Sequence, residues 1–553
     1  MEELRFLEKA LNDTILPWDR FSAWVHGICV VTFDLEIGQA IESIYPAHVS
    51  LAEADKTNIC YLAFPDSNSG VMGDSQFHFR IRLSPQTNKI GQGHLSRSRI
   101  HTEYNRKCPT TISFDPNYLF GFTYFRQVKD ATIRRGYYQK SVILLTKLPL
   151  INLFGQATAA IARKFFEKGD VSLEVACHDI DTWSFPIPGH SLELPLMGHL
   201  LQVHLPSTST RSVESGNETV TLAPNHGDLF LPNSTLSSEN CDLFTCLLPV
   251  IDQAHTLWEL ILTAEPLVVM APTPTMCSAT VQYLTSIIYP FPYCADYRPF
   301  YTIHDSDFKD ITASNTSALP NILLGVTNPF FSKALNHWPH VVKLGSNCDP
   351  SLGIGGIQNQ ASSNNRSPSH NAAGAKKIKN MSKFKMDSKP GVYSTSKALL
   401  EKDKSMVKRV LKGVQLKRPN AVQSTLIRRH FLELTSTFMI PLERYLTSLM
   451  PLAKNISPYR AAPKVKPFVI EDFLRSLESS GPQLTPMVKG DWESLYKRFF
   501  KSPNFVGWFN QRHREVSQKL QVSIIDMKYS FGLLVITPHF KIMHMKYHYL
   551  LLN

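Results

Sequence analysis

The chain contains no Gly-Lys-Ser/Thr, no Gly-x-Ser-x-Gly, no His-Glu-x-x-His and no Cys-x-x-Cys. The first absence removes the phosphate-cradling loop of P-loop nucleotidases, and the second the turn that presents a hydrolase serine. The last two remove common zinc arrangements. No apolar run reaches the roughly 18–20 residues that span a bilayer. Val142–Phe154 comes nearest, and Lys147 and Pro149 interrupt it. The nine Cys are scattered, and Cys241 and Cys246 are not at zinc-knuckle spacing. Reduced structural thiols are expected. Met1–Leu11 carries three Glu and lacks the basic opening of a secretory signal. The expected compartment is therefore the cytoplasm, where the sequons at Asn217 and Asn233 have no use. These absences point to a protein that acts by binding, with no metal, cofactor or covalent chemistry of its own.

What is present fits a globular chain with a sizeable core. Of its 553 residues 43% are hydrophobic and 19% charged. That length calls for several domains, since one core rarely grows past about 250–300 residues. The formal charge is +12, but residues 371–430 hold 16 Lys or Arg against 3 Asp or Glu, or +13. The rest of the chain sums to 12 − 13 = −1. The basic segment reads either as a solvated linker and helix face or as a surface attracted to anionic membranes. The second reading rests on about 1 kcal/mol per basic residue near such a surface. Its clearest cluster is Lys376, Lys377, Lys379, Lys383 and Lys385. Nucleic acid is not the expected partner, because only Phe384 and Tyr393 are available for base stacking.

Hydropathy divides the chain into three blocks. In the first, Val25–Phe33 and Gln39–Tyr45 read as paired strands turning at Gly38, with Tyr118–Val128 and Ser141–Leu145 as further strands. Ser84–Pro109 is polar and basic and reads as a loop, and a helix over Leu150–Lys168 closes the unit. Ser207–Glu239 is a Ser/Thr/Asn/Pro-rich connector. In the second block, a helix ends before Glu265-Pro266 and a buried strand follows at Leu267–Ala271. A helix over Ala279–Ile288 and a strand at Ile322–Val326 complete an alternation that predicts a mainly parallel sheet. Ser346–Lys389 is a second connector. Its Gly353, Gly355 and Gly356 lack the flanking strand and helix of a dinucleotide fingerprint. The third block is helical. Ile427, Phe431, Leu434, Phe438, Leu442, Tyr445 and Leu449 share one helix face, and Pro441 is expected to kink or split that helix. Ile470, Phe473, Leu474 and Leu477 form a second stripe. Asp491 is expected to cap a third helix that carries Trp492, Leu495, Tyr496 and Phe499.

Several long blocks resemble the DENN domains, and among them the DENN domain-containing protein 6 subgroup. They are Leu257–Pro274, Arg298–Phe308, Leu324–Phe331, His337–Pro339, Trp18–Trp24, Tyr61–Gly70, Tyr124–Gln139, Asp387–Tyr393 and Ser502–Phe509. The resemblance implies an α/β chain with a tripartite DENN module. Its parts would be a longin-like lobe (18–205), a connector (206–240), an α/β core lobe with a mainly parallel sheet (241–345), a basic linker (346–389) and a helical downstream part (390–520). Residues 521–553 depart from the pattern, and the spacing of His539, His544 and His548 lacks the carboxylate or Cys support of a metal site. The implied function is guanine-nucleotide exchange on a Rab-family small GTPase of the recycling endosome. The alternatives are a Rab-binding adaptor without exchange activity and a membrane tether. Expected GTPase contacts lie at strand ends of the second block, at Asp305, Asp307, Asn328, Phe330 and Phe331, and at Arg126, Arg134 and Arg135 beside a first-block hairpin. Asp305 and Asp307 are also expected to cap a helix, one of the two Phe to enter the core, and His304 to form no catalytic pair with adjacent Asp305.

Overall fold

The computed structural model describes residues 17–34, 36, 38–66, 72–85, 87, 95–132, 136–207, 241–313, 319–345, 389–451, 465–477 and 488–530. The expected Ser/Thr-rich connector (208–240), the lysine cluster at 376–385, the glycines at 353–356 and the tail from 531 lie outside the described residues.

The first lobe is built on five strands: β1 (Gly27–Asp34), β2 (Gly38–Tyr45), β3 (Gly73–Arg82), β4 (Tyr118–Lys129) and β5 (Tyr137–Thr146). They form an antiparallel sheet in the order β2-β1-β5-β4-β3. Successive strand residues point to opposite faces, so one sheet generates two cores. Ile28, Val30, Phe120, Phe122, Val142 and Leu144 line one of them. Cys29, Val31, Leu119, Phe125, Ile143 and Leu145 line the other. The first face is covered by α1 (Asp19–Trp24), α3 (Leu95–Lys107), α4 (Ile151–Lys168) and α5 (Val171–Asp181), and the second by α2 (Glu53–Leu62). A hairpin of β6 (Ser191–Leu196) and β7 (His199–His204) ends the lobe.

The polar stretch read as a loop contains α3. Tyr104 and Cys108 are buried in the first-face core, with Ile100 packed against it. Their spacing of four puts all three on one helix side, while the polar residues that masked the pattern face outward. The Tyr104 hydroxyl donates to the Ile112 carbonyl at 3.0 Å, and Asn105 clasps the backbone of Phe114 at 2.7 and 2.9 Å.

The second lobe begins with α6 (Leu243–Leu247) and α7 (Ala254–Leu262). Its sheet contains β8 (Leu267–Met270), β9 (Asp296–Arg298), β10 (Ile322–Val326), β11 (His340–Lys343) and β12 (Gly391–Ser394), in the order β12-β11-β8-β10-β9. All neighbours are parallel except β11 and β12. Leu267, Val269 and Leu323 face the core shared with α7 and α8 (Pro274–Ser286). Val268, Met270, Leu324 and Val326 face a smaller core closed by Ile311, Phe331, Leu335 and Trp338. These last residues come from and around α9 (Phe308–Thr312) and α10 (Phe331–Ala334). Burial on both faces explains the continuous apolar runs.

The downstream helices are α11 (Lys404–Gln415), α12 (Asn420–Ser448), α13 (Ile470–Ser476), α14 (Trp492–Phe499) and α15 (Pro503–Ser530). They share one core with α7 and α8. Trp258 donates its indole N–H to Thr435 Oγ1 at 2.8 Å, and the Glu259 carboxylate accepts from the backbone of Leu399 and Leu400. Of the two expected outcomes at Pro441, a kink or a split, the split does not occur: α12 continues through it. Phe438, Leu442 and Leu446 are buried on either side. Each contributes about 1.5–3 kcal/mol, against about 3 kcal/mol for an interior proline. The Tyr496 hydroxyl also donates to the Phe438 carbonyl at 2.7 Å. Asp491 caps α14 as expected, accepting from the Ser494 N–H at 2.9 Å.

Two outcomes follow from this packing. Gly121 sits opposite Phe79 in the β3–β4 register, and a Cβ there would lie 2.1 Å from the Phe79 ring. Gly121→Ala is expected to destabilise the chain by roughly 1–3 kcal/mol, read from urea midpoints, and an unchanged midpoint would refute the ring placement. Burial pushes His78 and His255 down to about 4 from 6.5, with the neighbouring His430 adding to the effect on His255. Between those values the unfolded chain holds protons that the folded chain has released. This contribution to stability is therefore present above about pH 6.5 and lost as the pH falls toward 4, at roughly 1.4 kcal/mol per pH unit per histidine. A His78→Gln/His255→Gln variant should lose stability less steeply than the parent between pH 7 and pH 5.

Candidate partner interface at the seam between the lobes

The two lobes meet along β3, the exposed edge of the first sheet. An edge strand presents unpaired backbone groups and must be covered. Here α8 covers it, and the His78 N–H points at Ser278 Oγ at 3.4 Å. Phe300, from the second lobe, enters the second-face core of the first and meets Phe77 edge-on at 5.3 Å.

Charge fixes the register of this docking. Arg80 of β3 donates to Asp296 at 2.7 Å and to the Tyr297 carbonyl at 3.2 Å. Its guanidinium lies 3.3 Å from the Tyr118 ring centroid and 4.4 Å from that of Tyr297. The other oxygen of Asp296 takes Arg298 at 3.2 Å. Arg298, 2% exposed, reaches Asp307 at 2.8 Å and Asp305 at 4.0 Å. Burial alone would lower the Arg298 pKa, but Asp296, Asp305 and Asp307 outweigh it and hold the group above its ordinary value. Burial raises the Asp305 carboxyl, and Arg298 only partly offsets that.

This anchor holds a seam that opens at the carboxyl ends of β9 and β10, where loops of open α/β sheets carry ligand sites. Asn58 of α2 exchanges two hydrogen bonds with Ser306, at 3.1 and 3.2 Å. Tyr61 stacks on His304 with ring centroids 4.2 Å apart and planes 15° apart. Asn328 donates to Asp66 at 3.2 Å, while its Oδ1 accepts from the Phe330 N–H at 2.9 Å. Phe330 stands 49% exposed beside this row, and Phe308 lies 6.5 Å from it. Gly325 precedes this turn, and a Cβ there would lie 2.2 Å from the Pro299 carbonyl. Only glycine lets the β9 and β10 exits approach so closely. The result is a polar-rimmed surface with one aromatic knob, contributed by both lobes.

The expected contacts separate accordingly. Asn328 and Phe330 stand on the seam. Phe331 is 1% exposed and belongs to the core. Asp305 and Asp307 do not cap α9 with their side chains: Asp307 occupies the N-cap position without a side-chain hydrogen bond there. Arg298 takes the Asp307 carboxylate instead, and Asp305 accepts from the Asp307 N–H at 3.0 Å. Buried charge recruits the side chains that a lone helix end would have used. Arg126 is held within the first lobe, bidentate to Asp74 at 2.6 and 2.7 Å and 4.2 Å from the Phe166 ring centroid. Arg134 and Arg135 lie outside the described residues. Asn58, Tyr61, Asp66 and Ser306 carry no local signal of a site, because their partners are more than 200 residues away. His304 pairs with Tyr61 across the lobes, a partner its chain neighbours do not reveal.

Arg298→Met is expected to strand the buried Asp305 and part of the Asp296 and Asp307 charge, costing about 3–5 kcal/mol. A loss below about 1 kcal/mol by urea unfolding would mean that the cluster does not anchor the loop.

Comparison with known proteins gives one answer. The family described as transport protein Avl9 matches residues 25–177, which lie in the first lobe. The chain is 47% identical over 518 residues to protein DENND6B of Mus musculus, covering 93% of this chain and 83% of that one. It is 46% identical over 512 residues to protein DENND6A of the same species, covering 92% and 79%. The DENND6 homolog of Dictyostelium discoideum is 30% identical over 557 residues, covering 90% and 72%. Identity near one half across both lobes and the helical part is membership rather than likeness: the chain belongs to the DENN domain-containing protein 6 family.

Proposed function

We propose that the chain is a guanine-nucleotide exchange factor for a Rab-family small GTPase, acting in endosomal recycling on the cytoplasmic side of an anionic membrane. Family membership supports a GTPase partner. The observation that carries the reading is the two-lobed seam at Tyr61–His304 and Asp66–Asn328, with Phe330 exposed beside it. Exchange needs no bond made or broken. A GTPase holds its nucleotide through a phosphate loop, Mg²⁺ and two switch segments. A surface that binds those switches better when they are drawn away from the nucleotide weakens nucleotide binding by the same factor, tenfold for each ~1.4 kcal/mol. Phe330 would serve as the apolar anchor and Asn328, His304 and Tyr61 as the polar rim, within an interface of roughly 800 Å² per partner. Asp305 and Asp307 would act indirectly, by holding the loop and by setting a negative potential beneath it.

The test is release of labelled GDP from a panel of Rab GTPases. One member should lose GDP faster with catalytic amounts of the chain. Phe330→Ala and Asn328→Ala should each slow that release about tenfold or more, as loss of an interface anchor does. Stoichiometric binding without faster release would make the chain an adaptor instead.

A further inference from the structure

From Lys404 to Leu432 the chain carries eight Lys or Arg and no Asp or Glu. Folding concentrates them. α11 turns Met406, Val407 and Val410 into the core and leaves Lys404, Lys408 and Lys412 exposed in a row four residues apart, with Arg409 beside them. The helix then stops abruptly. The Arg418 N–H reaches the Gly413 carbonyl and the Lys417 N–H the Val414 carbonyl, both at 3.0 Å, with Lys417 in the left-handed region at φ 50°. This is the paired-bond stop that normally places glycine at the left-handed position and an apolar residue after it. Here Lys417 and Arg418 stand there, both exposed. A non-glycine residue in this conformation costs roughly 1–2 kcal/mol. It projects two cations from the corner between α11 and α12.

Two aliphatic side chains flank the same corner. Leu416 is 57% exposed and Val422 is 52% exposed. Val422 shares a shallow groove with Arg409, Leu426 and Arg429. Arg429 is paired with Glu433 at 2.9 Å. Among the described residues Lys404, Lys408, Arg409, Lys412, Lys417 and Arg418 make no ion pair. Water would satisfy the cations but not Leu416 and Val422. An acidic protein surface would neutralise the charge, but apolar anchors in protein interfaces sit in fully desolvated pockets, and Leu416 lies outside the groove that holds Val422, among cations. A bilayer with anionic headgroups meets both demands, because cations stay at the phosphate level while short aliphatics enter the boundary beneath.

We propose that the α11–α12 corner is an anionic-lipid docking site. Leu416 and Val422 enter the headgroup–acyl boundary, and Lys408, Lys412, Lys417 and Arg418 engage the headgroups. The site shares no residue with the seam, so it stands independently of the exchange reading.

Co-sedimentation of the full chain with phosphatidylcholine vesicles, with and without phosphatidylserine, tests it. Binding should require phosphatidylserine and weaken as salt rises. Leu416→Ser/Val422→Ser and Lys417→Glu/Arg418→Glu should each lower vesicle affinity about tenfold or more, consistent with ~1 kcal/mol per basic residue at such a surface. All four positions are exposed, so thermal melting should be unchanged and GDP release in solution unaffected. Unchanged vesicle binding in either double variant would overturn the proposal. So would loss seen only when Lys376, Lys377, Lys379, Lys383 and Lys385 are neutralised, equal binding to phosphatidylcholine alone, or no sedimentation at all.

Discussion

The charge relay from Arg80 through Asp296 to Arg298 is the contact on which the arrangement of this chain turns. One carboxylate is shared between an arginine on the edge strand of the first lobe and an arginine at the end of an edge strand of the second. Salt bridges of this kind are poor sources of net stability, because desolvation offsets attraction. Their use is geometric. A one-residue slip of β3 would turn Arg80 to the opposite face and leave half-buried Asp296 with Arg298 as its one cation among the described residues. The hydrophobic contacts of Phe300 and α8 could tolerate some sliding, whereas the charges cannot.

That constraint explains why the seam is a defined surface. Arg298 ties down Asp305 and Asp307, and Ser306 between them and His304 just before them face the first lobe. The row Asn58–Ser306, Tyr61–His304 and Asp66–Asn328 therefore depends on a buried cation that none of those pairs touches across the lobes. A GTPase seated here would meet two lobes whose relation is set in advance, which lowers the ordering cost of association. The helical part contributes differently. It shares a core with α7 and α8, so it buttresses the second lobe from behind and leaves its own outer corner free for other contacts.

Much of the fold was legible in the residues because its elements are strongly periodic. The runs at Val25–Phe33, Leu267–Ala271 and Ile322–Val326 are strands in the structure, and the stripe from Ile427 to Leu442 is the buried face of α12. Asp491 announced its helix through local capping chemistry. The misreadings share one cause. The helix at Leu95–Lys107 was hidden because its buried residues are few and widely spaced among polar ones. A split at Pro441 is expected because propensity is local, while the packing that keeps α12 continuous comes from α7 and α14. Asp305 and Asp307 were expected to cap a helix because Arg298, their partner, gives no signal of burial in its own neighbourhood.

The sequence by itself determined most of the elements, the two-faced burial of the second sheet, the absence of recognisable covalent or metal motifs and the concentration of positive charge. All of these depend on interactions within a few residues or on composition. Only the tertiary structure decided which side chains stand at the seam, that Phe330 is exposed while Phe331 is buried, and that Leu416 and Val422 lie among unpaired cations. Those outcomes depend on contacts between residues tens to hundreds of positions apart. Which partner reaches a given side chain is a property of three-dimensional packing, on which one-dimensional periodicity carries no information.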